Sequence, residues 1–195
     1  MTTPRIFMIE GLDRLGKSTL IEGIINRLGY YDIIHYSKPK VLDVYAKDAI
    51  IDGELVKAQA YWSYQRASFQ NMFDLCCSQA RIIFDRAHLG EYVYSPMYRG
   101  YSGQYVFDYE RIYGLHQRND IRLILLYEDM DVARHFVDDG QSLGPVEKRA
   151  EEQERFFEAF ELSHIKDKRK ICVTDTALGG FRVKWEILEE ALAPQ

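Results

Sequence analysis

The sequence predicts an α/β fold: a five-stranded parallel sheet with helices on both faces. Three observations carry that prediction. Apolar runs of strand length alternate with stretches of helical periodicity along the chain. A glycine-containing segment, Gly11-Leu12-Asp13-Arg14-Leu15-Gly16-Lys17-Ser18, stands between the first such run and the first helical stretch. No internal repeat, low-complexity tract or linker divides the 195 residues, so a single domain over 1–195 is expected.

Taken in order, the first strand is read at about Arg5–Glu10, around the apolar run Ile6-Phe7-Met8-Ile9. The first helix runs from Lys17 to about Leu28, with apolar residues at helical spacing, and Gly29 suits its C-terminal end. A short second strand, Asp32–Tyr36, stops at Ser37-Lys38-Pro39-Lys40, because Pro39 has no backbone N–H to donate. A long helix is expected over about Glu54–Gln79, and a third strand over Arg81–Phe84, ending at Asp85-Arg86. A tyrosine-rich region fills about His88–Gln117. The fourth strand is Ile121–Tyr127. After it come a short helix and a polar segment around Asp138–Gly144, then a helix from Pro145 to about Ser163 with proline in its first turn. A fifth strand at Lys170–Thr174 and a last helix at about Phe181–Leu192 complete the pattern.

The segment Gly11–Ser18 reads G-x-x-x-x-G-K-S, a phosphate-binding loop pattern that arises by chance in roughly one percent of chains this long. Strand before and helix after are the context it needs. Glycines let the backbone curl so that successive N–H groups face phosphate oxygens. The start of the next helix adds its positive dipole end. Lys17 can reach the β- and γ-phosphates, and the Ser18 hydroxyl can ligand Mg²⁺.

Composition narrows the classes. Hydrophobic residues make up 47% and charged residues 28%, as in a folded globular domain and not a disordered chain. A net charge of −5 argues against a generic duplex-DNA binder but not against a nucleotide enzyme, whose positive charge sits in one cleft. Three cysteines, Cys76, Cys77 and Cys172, predict reduced thiols in a cytosolic setting, and no Cys/His spacing suits a metal. The sequence shows no signal-peptide pattern and no apolar run of membrane-spanning length, so no membrane role is expected.

Further constellations surround the loop. Asp85 at the end of an apolar strand is placed to organise magnesium, and Arg86 beside it offers a planar fork for a phosphate; a surface ion pair is the plainer reading. Trp62 and Arg66 share a helix face. Spacing alone makes Trp62 core and Arg66 solvated; the other reading is a ring stacked on a base with a guanidinium at its edge. Tyr94, Tyr98, Tyr101, Tyr105, Tyr109 and Tyr113 recur at three or four, as in a core seam, a partner interface or a stacking platform for single strands. Arg134, Lys148, Arg149 and Arg155 flank the polar segment and suit a mobile lid over phosphates at about 134–150. The five histidines show no triad or metal spacing.

Together these residues resemble the thymidylate kinase family of nucleoside monophosphate kinases. Glu10–Thr19 is similar to that family's phosphate loop, including the acidic Asp13. Asp85-Arg86 matches its Asp-Arg motif, and Tyr61-Trp62-Ser63-Tyr64-Gln65-Arg66 resembles its base-stacking helix segment. Val173-Thr174-Asp175-Thr176 resembles its loop near the donor adenine. Ala87 departs from the aromatic residue usual after Asp-Arg, and His88–Arg99 looks more like divergent, phage-type members. The resemblance implies the P-loop NTPase three-layer fold, ATP and Mg²⁺ as cofactors, a cytoplasmic setting (that of the host for a phage protein) and a homodimer. It implies ATP contacts from Gly11, Leu12, Asp13, Arg14, Leu15, Gly16, Lys17, Ser18 and Thr19, with Arg134 and Asp175. Magnesium falls to Ser18 and Asp85; catalysis to Lys17, Arg14, Asp85 and Arg86; and the acceptor to Asp13, Lys38, Trp62, Arg66, Arg86 and Tyr94. The activity implied is transfer of the ATP γ-phosphate to a deoxynucleoside monophosphate, dTMP or a related pyrimidine. Two readings stay open beside it. One is a kinase acting on a hydroxyl of a deoxynucleoside or of a modified base in DNA, with Asp13, Glu91 or Asp85 as base; the other is a non-catalytic nucleotide-binding regulator.

Overall fold

The computed structural model describes residues 3–36, 53–133, 146–177 and 179–194. Every residue of β1 (Ile6–Glu10) is buried, as the apolar run Ile6–Ile9 must be at the centre of a sheet covered on both faces, and Glu10 at its end is buried with it. With β2 (Asp32–His35), β3 (Ile82–Asp85), β4 (Ile121–Tyr127) and β5 (Asp167–Cys172) it forms a sheet in the order β2-β3-β1-β4-β5, each pair parallel. β3 and β4 flank β1 and are apolar and buried, whereas β2 is an exposed edge. The fold class expected from the sequence is the one observed.

The helices are α1 (Lys17–Leu28), α2 (Gly53–Cys77), α3 (His88–Tyr94), α4 (Tyr105–Ile112), α5 (Met130–Ala133), α6 (Val146–Leu162) and α7 (Lys184–Leu192). α1 and α7 pack together so closely that a Cβ on Gly23 would stand 3.2 Å from Leu188. α3 packs on α6, with the Tyr94 ring edge-on to Phe156, and α2 packs on α4 through Phe73 and Tyr109. Two groups of helices follow from the strand order, because right-handed crossovers that reverse direction at β2 land on opposite faces.

The tyrosine-rich region is not one helix. α3 ends in a π-helical turn, Ser95–Arg99, that contains Pro96; a bend follows to α4 and then a 3₁₀ turn, Leu115–Gln117. Gly103 makes the bend tight, since a Cβ there would lie 2.5 Å from the Glu91 carbonyl oxygen. The tyrosines pack on one another edge-on or tilted, with centroids 5.9 Å apart for Tyr94–Tyr98, 5.6 Å for Tyr105–Tyr109 and 6.1 Å for Tyr109–Tyr113. They form a packed seam in place of an open stacking platform.

Two boundaries differ from the sequence reading. β5 starts at Asp167 and not at Lys170, because its charged first half lies on a sheet edge, where Asp167 pairs with buried Arg122 of β4 at 2.7 Å. Thr174–Asp175 and Gly180–Phe181 form a small antiparallel hairpin, β6 and β7, so the last helix begins at Lys184, after Phe181.

Arg122 also donates to the Ala191 carbonyl at 2.7 Å, tying α7 to the sheet. Arg122→Met strands a buried carboxylate and is expected to cost about 3–5 kcal/mol in denaturant unfolding. Arg122→Met combined with Asp167→Leu should recover much of that loss. An equal loss in single and double variants would show that the pair is not coupled.

Candidate functional site

Local packing dictates the course of the loop after β1. Gly11 leaves the strand at φ +133, and a Cβ on it would meet the Leu126 carbonyl oxygen of β4 at 2.3 Å. Leu12 and Leu15 are buried and pin the loop to the core, while Arg14 is exposed with φ +69. Gly16, at φ +80, turns the chain into α1. The left-handed turns gather backbone N–H groups on one concave side, at the positive end of a twelve-residue helix. Lys17 begins that helix; exposed Ser18 and half-buried Thr19 follow in its first turn.

Lys17 is 7% exposed and folds back over the loop, donating to the carbonyls of Gly11 at 3.0 Å and Leu12 at 2.5 Å. Burial, with the Arg86 charge beside it, lowers its ammonium to about 8 against the opposing pull of Asp13, Asp85 and Glu10. Those five charges therefore share one neighbourhood.

β3 delivers the second half of the site. The Arg86 N–H donates to the Ile9 carbonyl at 2.9 Å, and its left-handed backbone, φ +66, turns the guanidinium back to an ion pair with Asp13. Asp85 accepts from His35 Nδ1 at 2.9 Å through Oδ2, while Oδ1 is buried with no partner among the described residues. His35 had no assignment from sequence. Register places it there, since His35 of β2 lies directly opposite Asp85 of β3, and single-strand patterns do not show register. An orphaned carboxylate oxygen beside Lys17 fits a magnesium ion or its water. With the Ser18 hydroxyl and phosphate oxygens it would give the all-oxygen, partly substrate-supplied set that this ion takes.

Glu10, unassigned beyond its place in the motif, closes the floor. It is 1% exposed and accepts from the Gly90 N–H at 3.2 Å; burial pushes its carboxyl up against the opposing effects of His88, its backbone hydrogen bonds and Arg86.

Tyr94 is largely buried near Arg86, Asp13 and Glu10, and burial raises its phenol well above the usual range. Trp62 is not core. It is 38% exposed, with the Arg66 guanidinium 5.0 Å from its ring centroid, and Arg66 Nε donates to the Tyr109 hydroxyl at 3.0 Å. Arg66 opens onto a cleft of about 490 Å³ between α2 and α4, shared with Tyr105, Tyr109 and Ile112 and bordered by the Asp108–Arg111 ion pair.

Lys38 and Arg134, and the lid segment over 134–145, lie outside the described residues. Of the other lid candidates, Lys148 sits 4.4 Å from the Tyr98 ring centroid, Arg149 pairs with buried Glu128, and Arg155 pairs with Glu151 at 3.1 Å. Asp175 accepts from the Ala177 N–H at 2.8 Å, which holds the β6–β7 turn. Glu91 is no free base: its buried carboxylate accepts from Gln65, Arg99, Tyr101 and Tyr105.

No protein-family model and no curated protein sequence matches the chain. Solved structures do. The thymidylate kinase from Candida albicans is 19% identical, with a TM-score of 0.55, covering 96% of this chain and 92% of that one. The YorR protein from Bacillus subtilis, in complex with phosphorylated GDP, is 15% identical with a TM-score of 0.54, covering 86% and 85%. A gluconokinase from Sinorhizobium meliloti 1021 is 14% identical with a TM-score of 0.50, covering 99% and 92%. At these identities the likeness is one of fold: the chain shares the parallel α/β architecture of these structures.

The lowered Lys17 ammonium sets a pH dependence. Between about 8 in the folded protein and 10.5 in the unfolded chain, the unfolded state holds the extra proton, so this group's contribution to stability rises with pH across that window. The unfolding free energy of the wild type minus that of Lys17→Met should be level below the window and climb through it. A difference that stays flat would place the amine in water.

Proposed function

We propose that the protein is an ATP-dependent, magnesium-requiring kinase that transfers the γ-phosphate to a deoxynucleoside monophosphate, dTMP or a related pyrimidine nucleotide. The observation that carries the reading is the meeting of the glycine loop with Asp85 and Arg86, where Arg86 pairs with Asp13 across the site. That arrangement offers a donor cradle and an acceptor-phosphate fork within one cleft.

The residues divide the work. Loop N–H groups of Gly11 to Thr19 and Lys17 bind the donor phosphates; Lys17 exchanges the carbonyls of Gly11 and Leu12 for phosphate oxygens. Ser18 and Asp85 would hold a magnesium ion, which would neutralise phosphate charge. Arg86 leaves Asp13 for the acceptor phosphate as a bidentate clamp, which frees Asp13 for the acceptor sugar. Trp62 stacks on the base and Arg66 reads its edge, with Tyr94 under the sugar. The acceptor is already an anion, so catalysis is positioning and charge stabilisation without a general base. A hydroxyl acceptor would need such a base, and of the candidates Asp13, Glu91 and Asp85, Glu91 is already engaged by four donors, which supports the monophosphate instead. Lys38, Arg134 and a dimer partner belong to the same proposal on resemblance alone.

ADP release, measured over a panel of deoxynucleosides, their monophosphates and DNA, tests the reading. Turnover should appear with a pyrimidine monophosphate; turnover with nucleosides or DNA only would overturn it. Arg86→Ala should raise acceptor KM far more than ATP KM, and the reverse pattern would exchange the two roles.

Arg14 is an exposed residue inside the loop, between Gly11 and Gly16, whereas Arg149 is tied to buried Glu128. Arg14→Ala is therefore expected to cut kcat steeply, within the range of about 10³–10⁵ for an arginine that stabilises this transition state. Arg149→Ala should cost much less. A larger kcat loss for Arg149→Ala would put the catalytic charge on the lid helix.

A further inference from the structure

The edge strand holds Asp85 twice. His35 ends β2 and stands directly opposite Asp85 in the parallel register. Its Nδ1 lies 2.9 Å from Asp85 Oδ2, and since a carboxylate only accepts, the ring nitrogen is the donor. One residue further on, the Tyr36 N–H donates to the Asp85 carbonyl at 3.2 Å. The strand end is itself anchored. The Tyr36 ring stacks on Phe69 of α2 with centroids 5.4 Å apart and tilts against Phe84 of β3 at 5.9 Å. His35 is therefore presented by a fixed piece of backbone, although its own side chain is half exposed.

The two oxygens of Asp85 are used unequally. Oδ2 takes the imidazole N–H, whereas Oδ1 is buried with no partner among the described residues. A buried carboxylate oxygen is costly unless something satisfies it. The last side-chain bond of an aspartate is a soft, roughly two-fold rotor, so on its own either oxygen could take either place. The bond from His35 fixes that rotation. It occupies Oδ2 and leaves Oδ1 as the open acceptor, on a carboxylate whose charge already acts on the Lys17 ammonium.

An ion pair as exposed as this one contributes little to stability, so what the bond sets is the direction of the carboxylate. Direction matters most to magnesium. That ion demands a near-octahedral arrangement and takes only one or two carboxylates, often through its own waters. Outer residues that hold the free oxygen of a ligating group are a regular part of such sites.

Resting on the kinase reading above, we propose that His35 is a positioning residue for the magnesium of the donor nucleotide: by holding Asp85 Oδ2 it commits Oδ1 to the ion or to the ion's water.

Calorimetric binding of a non-hydrolysable ATP analogue to the full chain, once with excess Mg²⁺ and once with EDTA, tests this without turnover. Wild-type protein should bind more tightly in magnesium, and the ratio of the two affinities is the quantity to follow. His35→Ala should cut that ratio by about tenfold, the low end of what an outer partner contributes to metal affinity, and leave the EDTA value unchanged. His35→Asn should restore it, because the asparagine Nδ2 stands where the ring Nδ1 does and keeps an N–H for Oδ2. In an Asp85→Ala background, His35→Ala should change nothing further, since the residue acts through the carboxylate. An equal loss in magnesium and in EDTA would make the histidine merely structural and overturn the proposal. So would an unchanged ratio in His35→Ala, or His35→Asn no better than His35→Ala. Each of these outcomes leaves the kinase reading intact. A wild type that binds the analogue equally well in magnesium and in EDTA would overturn the magnesium role in that reading and the proposal with it.

Discussion

The structure turns on the absence of a side chain at position 11. The chain leaves the central strand so close to β4 that a Cβ would stand 2.3 Å from the Leu126 carbonyl oxygen, in a backbone conformation that L-residues avoid. Because Gly11 can lie against β4, the loop curls over the carboxyl end of the sheet instead of arching away from it. Leu12 and Leu15 then reach the core and hold it down. Every charged group of the donor site is placed by that seating: Lys17 at the start of α1, Asp13 facing β3, and Arg86 bonded through its N–H to Ile9 of β1. A substituent at this position would press on the sheet itself, not only on a ligand.

Seating the loop there gathers charges that water would otherwise separate. Asp13, Asp85, Glu10 and Arg86 all act on the Lys17 ammonium, and burial works against the charged forms of Lys17, Glu10 and Arg86. The arrangement is tolerated because partners are at hand, with loop carbonyls for Lys17, Asp13 for Arg86 and the Gly90 N–H for Glu10. Two of these partnerships are ones a polyphosphate can replace with stronger ones. The site is therefore held closed on itself by bonds that a ligand exchanges, which keeps the cost of binding low.

Sequence reading reached the sheet, the loop and the Asp85-Arg86 turn because each rests on local signals: apolar runs, glycine spacing and a strand end. It could not reach what depends on register. His35 meets Asp85 only because β2 and β3 align them, and Arg122 buries Asp167 only because β4 and β5 do. The second pairing also explains the misplaced start of β5, where charged residues on an edge strand read as loop. Trp62 was ambiguous because helical spacing reports which residues share a face and not what the face looks toward; half-exposed beside Arg66, it is not a core residue. The tyrosines showed a period but not the π-helical turn that interrupts it, and with that turn Arg99 stayed out of sight.

Two arginine–carboxylate pairs lie at α3, Arg86–Asp13 just before it and Arg99–Glu91 with Glu91 on the helix itself, and they differ in exposure. Arg86 and Asp13 are both partly open to solvent, so the pair is weakly held and a dianionic phosphate can draw the arginine away. Arg99 and Glu91 are nearly or wholly enclosed, and Glu91 is locked by three further donors, so separating them would leave a buried charge uncompensated. On the proposed kinase reading, the first pair is therefore the one a charged ligand would open, and the second is the one that stays shut and holds the α3 end of the tyrosine-rich region in place.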